Sequence, residues 1–166
     1  MCCNGVLFHT VLLQPSDSAK ALAALGLKLK KRKNGKNYIL QPCPAFRGSH
    51  CSIYAARPER CRLFECRQLR QVAAGEISEA TALETIRDTL RRVGEITDLV
   101  EGSVTGGSNP KRPLSKRCEM AMAEPLHATS DPAAVELRQR FTRAIRELDE
   151  LLDREFRIQP NEEISS

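Results

Sequence analysis

Residues 51–66 read CSIYAARPERCRLFEC, which places three cysteines within sixteen residues. Four more lie at positions 2, 3, 43 and 118, so six of the seven cysteines fall in the first 66 residues. In a reducing compartment, clustered thiols are more often metal ligands or redox groups than disulfides. The odd total also argues against complete internal pairing, so the purpose of these thiols decides how the fold is interpreted.

The rest of the chain gives no sign of secretion or of a membrane span. No segment approaches the roughly 20 apolar residues that a spanning helix needs. The start, MCCNGVLFHTVLLQP, has an apolar patch but neither the basic region nor the small-residue cleavage site of a signal peptide. We therefore expect a cytoplasmic protein with no membrane partner.

Local signals predict a helix and a hairpin before the cysteine cluster. Residues 16–26, SDSAKALAALG, begin with a capping serine and end in glycine, which is typical of a short helix. In residues 27–40, LKLKKRKNGKNYIL, leucines alternate with lysines and Asn34-Gly35 follows, which predicts a β-hairpin. Residues 43–66 keep no period and are interrupted by prolines, which predicts an irregular loop. Pro58 can open a helical turn, and Gly75 is the expected stop of the segment that follows.

The hairpin carries an unusual charge. Residues 28–36 contain six basic residues and no acid, although the whole chain has a net charge of only +5. Such a run can contact nucleic-acid phosphates. This is the weaker interpretation, because only Tyr38 offers an aromatic ring for stacking and charged edges also protect a sheet from aggregation.

Two long helices are expected in the carboxy-terminal half. The first begins after Ser78 and runs to about residue 101, with apolar positions at 83, 86, 90, 93, 96 and 100. Residues 102–113, GSVTGGSNPKRP, have the composition of a linker. The second helix opens at Asp131-Pro132 and has an apolar stripe formed by Ala134, Leu137, Phe141, Ala144, Leu148 and Leu151. This stripe either packs against the first helix as an antiparallel pair or forms the seam of a homo-oligomer.

The fold class that these signals predict is α+β. We expect a small cysteine-rich metal-binding module with a β-hairpin and irregular loops over residues 1–75. A helical region with a long-helix pair should follow over residues 76–166, with its linker near 102–113. Aromatic residues make up only 4% of the chain and Trp is absent, so a bound metal could help hold the fold.

Four converging thiolates can bind zinc tetrahedrally or hold an iron–sulfur cluster. No CxxC knuckle is present, so the spacing is not that of an ordinary zinc finger. On one unbroken helix Cys61 and Cys66 would be about 140° apart, so they can share an ion only if the chain bends near residues 63–65. In an extended chain Cys2 and Cys3 point to opposite sides, so they serve two metals or only one is a ligand.

Other candidate residues surround the cluster. His50 is an awkward second ligand because it adjoins Cys51, and Cys118, beyond the linker, is expected to be an inert buried thiol. His9 and His127 are expected to be ordinary polar residues. Four arginines could offset the charge of thiolates, and these are Arg57, Arg60, Arg62 and Arg67.

An ordered set of motifs resembles the cysteine-cluster protein family, which is described as zinc- or iron-chelating. The motifs are CCNGVLF at 2–8, Cys43-Pro44, CSIY at 51–54 and RPERCRLFEC at 57–66. The resemblance covers about residues 1–70. It implies metal ligands at Cys2, Cys3, Cys43, Cys51, Cys61 and Cys66, and a framework of Tyr54, Arg57, Pro58, Arg62 and Phe64. Family members carry further cysteines before the Cys-Cys pair, so we expect an upstream ligand to be missing here or the start to be truncated.

The function expected from these features is binding of zinc or iron, with an iron–sulfur cluster included, in a structural or metal-handling role. One alternative is an enzyme that uses an iron–sulfur centre for redox or methyl-transfer chemistry, since some relatives of this cysteine arrangement are linked with protein lysine methylation. The sequence offers this enzyme no glycine-rich nucleotide loop and no nucleophile–His–acid set. A second alternative is a nucleic-acid-binding module that uses the basic hairpin.

Overall fold

The structure is a computed structural model and describes residues 1–102, 109–123 and 132–158. It mixes helices with a small antiparallel sheet, so the α+β class is confirmed. The chain divides into two compact units, Met1–Phe64 with Pro110–Leu114, and Glu65–Asn109 with Ser115–Ser166. This division after Phe64 comes earlier than the expected boundary after residue 75.

The first unit is built on a three-stranded antiparallel sheet with the order β1-β3-β2. Its strands are β1 (Thr10–Leu12), β2 (Leu29–Lys31) and β3 (Asn37–Leu40). The predicted hairpin is confirmed, since β2 and β3 pair with Lys31 opposite Asn37. The third strand, β1, was not predicted and pairs Val11 with Ile39.

A short helix covers one face of this sheet. Helix α1 (Ala19–Ala24) starts where the Ser18 side chain accepts a hydrogen bond of 3.2 Å from the Ala21 amide. It ends before Gly26, whose φ of +86° suits a glycine. One buried cluster of the unit is formed by Leu22, Leu27, Ile39 and Ala45. Cys43 and Cys51 pack against this core, so two of the predicted ligands are anchored by it.

The segment predicted to be an irregular loop contains short regular elements. A two-residue pair, β4 (Phe46–Arg47) and β5 (His50–Cys51), turns at Gly48 with a φ of +59°. A 3-10 turn (Tyr54–Ala56) and helix α2 (Glu59–Leu63) follow, with Pro58 as the N-cap of α2. The helical turn expected at Pro58 is therefore confirmed, and the rest of the predicted loop contains regular elements of two or three residues.

The second unit is helical. Its helices are α3 (Arg67–Ala73), α4 (Glu79–Gly102), α5 (Leu114–Ala123, in this unit from Ser115) and α6 (Pro132–Glu155). The predicted stop at Gly75 is confirmed by its φ of +72°. The predicted first long helix is also confirmed, and the Ser78 side chain caps its start by accepting from the Thr81 amide at 3.0 Å. Helix α5 was not predicted.

Helices α4 and α6 pack against each other, and their ends indicate an antiparallel arrangement. At one end, Arg117 of α5 pairs with Glu101 at the end of α4, while Arg138 near the start of α6 donates to the Met122 carbonyl of α5. At the other end, Gln68 of α3 donates to the carbonyl of Glu155, the last residue of α6. The predicted linker lies partly outside the described residues, as do Asp131 and His127 and the side chain of Ala134.

The apolar stripes predicted for these helices are partly wrong. On α4, Leu83 and Leu90 are more than 40% exposed, and the buried side chains are Ala82, Thr89, Ile96 and Val100. On α6, Leu137 is 49% exposed, while Phe141, Leu148 and Leu152 are buried. Burial therefore follows the contact between the helices and not the largest apolar side chains. Across the described residues, no helix combines the length and apolarity required to cross a bilayer.

Candidate metal centre

The amino-terminal turn brings Cys3 beside Cys43. The Cys43 amide donates a hydrogen bond of 2.8 Å to the Cys3 carbonyl oxygen. The turn itself is held by Asn4, whose side chain accepts a bond of 3.1 Å from the Val6 amide. Gly5 has a φ of +82°, and a Cβ there would lie 3.3 Å from the Cβ of Gln41. The chain can follow this path because residue 5 is glycine.

A tight turn after Cys43 fixes the next part of the site. The Phe46 amide donates to the Cys43 carbonyl oxygen at 2.9 Å. Burial raises the pKa of the Cys43 thiol, while hydrogen bonds from the Ala45 and Phe46 backbone act in the opposite direction. Backbone amides aimed at a sulfur favour its thiolate form, which is the form that binds metals.

Cys51 reaches the same region through the short hairpin. In the pairing of β4 with β5, Cys51 lies opposite Phe46. The amide and the hydroxyl of Ser52 both donate to the Ala45 carbonyl oxygen, at 2.9 Å and 3.0 Å. These bonds tie the chain after Cys51 to the turn that follows Cys43.

Helix α2 supplies Cys61. Its first amide, that of Glu59, donates to the Asp17 carboxylate at 2.9 Å. Its C-cap residue, Phe64, packs edge-on against Phe8 with ring centroids 4.8 Å apart. The helix is thereby attached to the segment that precedes α1 and to the amino-terminal segment, which carries Cys3.

The four half-buried thiols of Cys3, Cys43, Cys51 and Cys61, called here the four-thiol cluster, share one electrostatic environment. Burial is the largest cause of a raised pKa at Cys61, followed by the negative charges of the other three, and together they raise this pKa to about 12. Burial and the charge of Cys51 likewise raise the pKa of Cys3. Since the charges of Cys3, Cys43 and Cys51 all act on Cys61, four separate segments of the chain place their thiols in one neighbourhood.

The Arg57 side chain places a positive charge near the four-thiol cluster. The positive charge of Arg57 lowers the pKa of both Cys3 and Cys61, against the larger effect of burial. Its guanidinium lies 3.9 Å from the ring centroid of Tyr54, which holds it in place. Of the other predicted arginines, Arg60 and Arg62 are exposed on α2, and Arg67 begins α3 in the second unit.

The remaining predicted ligands are placed differently. Cys2 directly precedes Cys3 and is half-buried. Cys66 is the N-cap of α3 and belongs to the second unit. The helix breaks between Leu63 and Arg67, with Phe64 extended, so Cys61 and Cys66 do not lie on one unbroken helix.

Cys118 lies far from these segments in the sequence, whereas His50 adjoins Cys51. Cys118 is 2% exposed within α5, and burial raises the pKa of its thiol to about 11. His50 and His9 are exposed, and His127 is outside the described residues. All seven cysteines are described, and all are thiols and not disulfides.

The four-thiol cluster does not have the coordination geometry of a formed metal site. In the part of the chain that the structure describes, no three or more His, Cys, Asp or Glu side chains could hold a metal ion in the positions they occupy. Zinc–sulfur bonds are about 2.3 Å long, so the four sulfurs would have to move inward to bind one ion. The donor set itself, four thiols of soft sulfur beside one arginine, suits zinc or iron.

Two features of this region were not found from the sequence. Gln41 is 3% exposed, and its side-chain oxygen has no hydrogen-bond partner among the described residues. The edge-on contact of Phe8 with Phe64 joins residues 56 positions apart. In the sequence, Gly5 was the one signal that could have indicated the amino-terminal turn, which packs against Gln41.

Comparison of the chain with protein-family models, with curated proteins and with solved structures found no match. The resemblance to the cysteine-cluster family therefore rests on the quoted motifs.

Proposed function

We propose that the four-thiol cluster binds a zinc or iron ion and that the protein has a structural or metal-handling role. The observation that supports this most directly is that four half-buried thiols come from four separate segments of the first unit and that their thiolate forms would repel each other. A cation placed among them would turn that repulsion into attraction.

The chemistry of the cluster favours a metal over free thiols. Burial raises the pKa of the Cys3, Cys43 and Cys61 thiols, so these thiols keep their protons when no metal is bound. A divalent ion would displace them, and its binding would release protons to solvent. Arg57 would offset part of the remaining negative charge, because four thiolates around a divalent ion carry a net charge of −2.

The energy available from such binding is large for a domain with this core. Apparent binding energies of structural zinc in small peptides are about 10–16 kcal/mol, whereas a whole domain is stable by about 5–15 kcal/mol. The buried cluster against which Cys43 and Cys51 pack contains four residues. A bound metal would therefore account for much of the structural ordering of the segment between Cys43 and Cys61.

Anaerobic purification followed by elemental and acid-labile sulfide analysis tests the proposal. We expect close to one equivalent of metal in the unmodified chain and a loss of most of it in Cys61→Ser. Cys118→Ser is the matched control, since it removes a thiol from α5 and should leave the metal content unchanged. Equal metal content in Cys61→Ser and Cys118→Ser, or no metal under anaerobic conditions, would contradict the proposal.

The same samples distinguish a zinc site from an iron–sulfur cluster. A colourless protein with zinc supports a structural site, whereas a brown protein with iron and sulfide supports the iron–sulfur alternative. Cys2→Ser and Cys66→Ser test whether the family-derived ligands extend beyond the four-thiol cluster. A fall in metal content in either variant would add that residue to the ligand set.

A further inference from the structure

The basic hairpin presents most of its charge on the outward face of the sheet. On the inward face Ile39 is 1% exposed, and Val11 and Leu29 pack with it against the core. Lys30 is paired with Tyr38, so both side chains project from the opposite face. Tyr38 is therefore an aromatic ring on the outer surface of a strand.

Further cations join Lys30 on this outer face. The Arg32 amide donates to the Lys36 carbonyl at 2.9 Å, which continues the ladder for one pair beyond β2 and β3. Arg32 and Lys36 therefore alternate onto the face of Tyr38, and the Arg32 guanidinium lies 5.8 Å from the Tyr38 ring centroid. By the same alternation Lys28 precedes Lys30 on this face. We name these five residues the hairpin face: Lys28, Lys30, Arg32, Lys36 and Tyr38.

The charges of the hairpin are not neutralised within the described residues. All six basic residues at 28–36 are exposed, and none of them forms an ion pair in the described part of the chain. In the second unit, by contrast, cations such as Arg91 and Arg157 each bond two carboxylates. With six positive charges here and +5 in the whole chain, the remainder sums to about −1.

Protection of a sheet edge explains only part of this pattern. Strand β2 is an edge strand, and Lys30 and Lys31 on it would discourage pairing with another chain. Lys28, Arg32 and Lys36 lie outside β2, so this purpose does not account for them. Their place beside an aromatic ring points to a ligand that combines negative charge with flat apolar surfaces.

We propose that the hairpin face binds single-stranded nucleic acid. Phosphates would contact Lys28, Lys30 and Lys36, and a base would stack on the platform formed by Tyr38 and Arg32. On a strand, alternate side chains are about 7 Å apart, so one backbone can contact several of these cations in succession. The inference does not rest on the metal centre, because the core and main-chain pairing of the sheet position these residues.

Fluorescence anisotropy with the full-length protein as purified tests the inference. The probes are a labelled single strand of about 15 nucleotides, a duplex of the same length, and vesicles of phosphatidylcholine with phosphatidylserine. We expect preferential binding of the single strand, with a log–log salt slope of about −2, since three phosphates are contacted. Tighter binding of the duplex or of the vesicles, or no binding of the single strand, would overturn the inference.

Two sets of variants assign the binding to the hairpin face. The triple variant Lys30→Gln, Arg32→Gln, Lys36→Gln should bind at least about 10-fold more weakly, and because it loses two of the three phosphate contacts it should flatten the salt slope by about 1.4. Its control, Arg87→Gln, Arg140→Gln, Arg143→Gln, removes the same charge from exposed positions of the two long helices and should bind almost normally. Equal losses in the two variants would overturn the assignment.

Stacking is tested by Tyr38→Leu against Tyr38→Phe. We expect Tyr38→Leu to lower affinity for the single strand about 10-fold, whereas Tyr38→Phe keeps the ring and the affinity. Unchanged binding by Tyr38→Leu would refute the stacking platform. Binding that persists in Cys61→Ser supports the independence of this surface from the metal centre, and a far-UV circular dichroism spectrum of each variant verifies its fold.

Discussion

The Cys43 amide donates a hydrogen bond of 2.8 Å to the carbonyl oxygen of Cys3, a residue 40 positions earlier in the chain. This bond fastens the amino-terminal turn to the end of β3. The attachment depends on a close approach at Gly5, where a Cβ would lie 3.4 Å from the Pro42 nitrogen and 3.3 Å from the Gln41 Cβ. The convergence of two thiols thus depends on a glycine between them in sequence.

Gly5→Ala should destabilise the first unit by about 2 kcal/mol, because it combines the cost of a positive φ with a steric contact. Gly48→Ala is the matched control, since its φ is also positive, at +59°, but its Cβ would meet nothing within 4 Å. We expect it to cost about 1 kcal/mol. Urea unfolding followed by tyrosine fluorescence measures both, because the two tyrosines lie in the first unit. Equal losses would show that the turn does not depend on close approach.

The raised thiol pKa values predict how stability depends on pH in the metal-free protein. The pKa of Cys61 is about 12 in the folded state and 9.0 as its ordinary value, so the folded state keeps a proton that the unfolded state loses. This contribution to stability is complete below pH 9 and is lost as the pH rises towards 12.

Urea unfolding with a chelator, followed by circular dichroism at pH 8 and at pH 10.5, measures this loss. The decrease between the two pH values should be smaller in Cys61→Ser, because serine does not ionise in this range. An identical decrease in the two proteins would contradict the raised pKa of Cys61. Zinc added to the unmodified chain should reduce the pH dependence, since a bound metal replaces the proton.

Local signals made several elements predictable from the sequence. The Asn34-Gly35 turn between alternating strands predicted the β2–β3 hairpin, and Ser78 predicted the start of α4. Strand β1 was missed because its three residues are defined by pairing with β3, a partner far along the chain. Helix α5 was missed because the composition before it is typical of a linker.

Side-chain burial and the membership of the cluster required the tertiary structure. Leu83 and Leu90 fit a helical period, but the position of α6 buries Ala82 and Thr89 in their place. The six cysteines in the first 66 residues were equivalent by composition. Main-chain bonds at Cys3, Cys43 and Ser52 bring particular thiols together, and residue type does not encode such bonds.

A buried cation in α5 gives the third prediction. Arg117 is 6% exposed and pairs with Glu101 at 2.9 Å, whereas Lys116 pairs with Glu119 at an exposed position. Arg117→Ala should lower the free energy of unfolding by about 2 kcal/mol, through lost hydrogen bonds and packing. Lys116→Ala should cost less than about 0.5 kcal/mol. Urea unfolding followed by helical circular dichroism distinguishes them, and similar losses would contradict the buried role of Arg117.

The helix pair gives the last prediction, because two leucines of the predicted stripe differ in burial. Leu148 is 6% exposed and Leu137 is 49% exposed. Leu148→Ala should lower the free energy of unfolding by about 2–4 kcal/mol through the cavity it leaves. In a monomer, Leu137→Ala should change it by less than about 0.5 kcal/mol.

Unfolding at two protein concentrations, together with sedimentation velocity, also tests the homo-oligomer alternative. A seam through Leu137 would make the unfolding midpoint depend on concentration, and Leu137→Ala would both lower that midpoint and shift the protein towards monomer. If the buried residues of α6 pack against α4 within a monomer, Leu137→Ala should neither lower the unfolding midpoint in a concentration-dependent way nor change the oligomeric state. A concentration-dependent loss in Leu137→Ala that approaches the loss in Leu148→Ala would instead assign the exposed part of α6 to contact with a second copy of the chain.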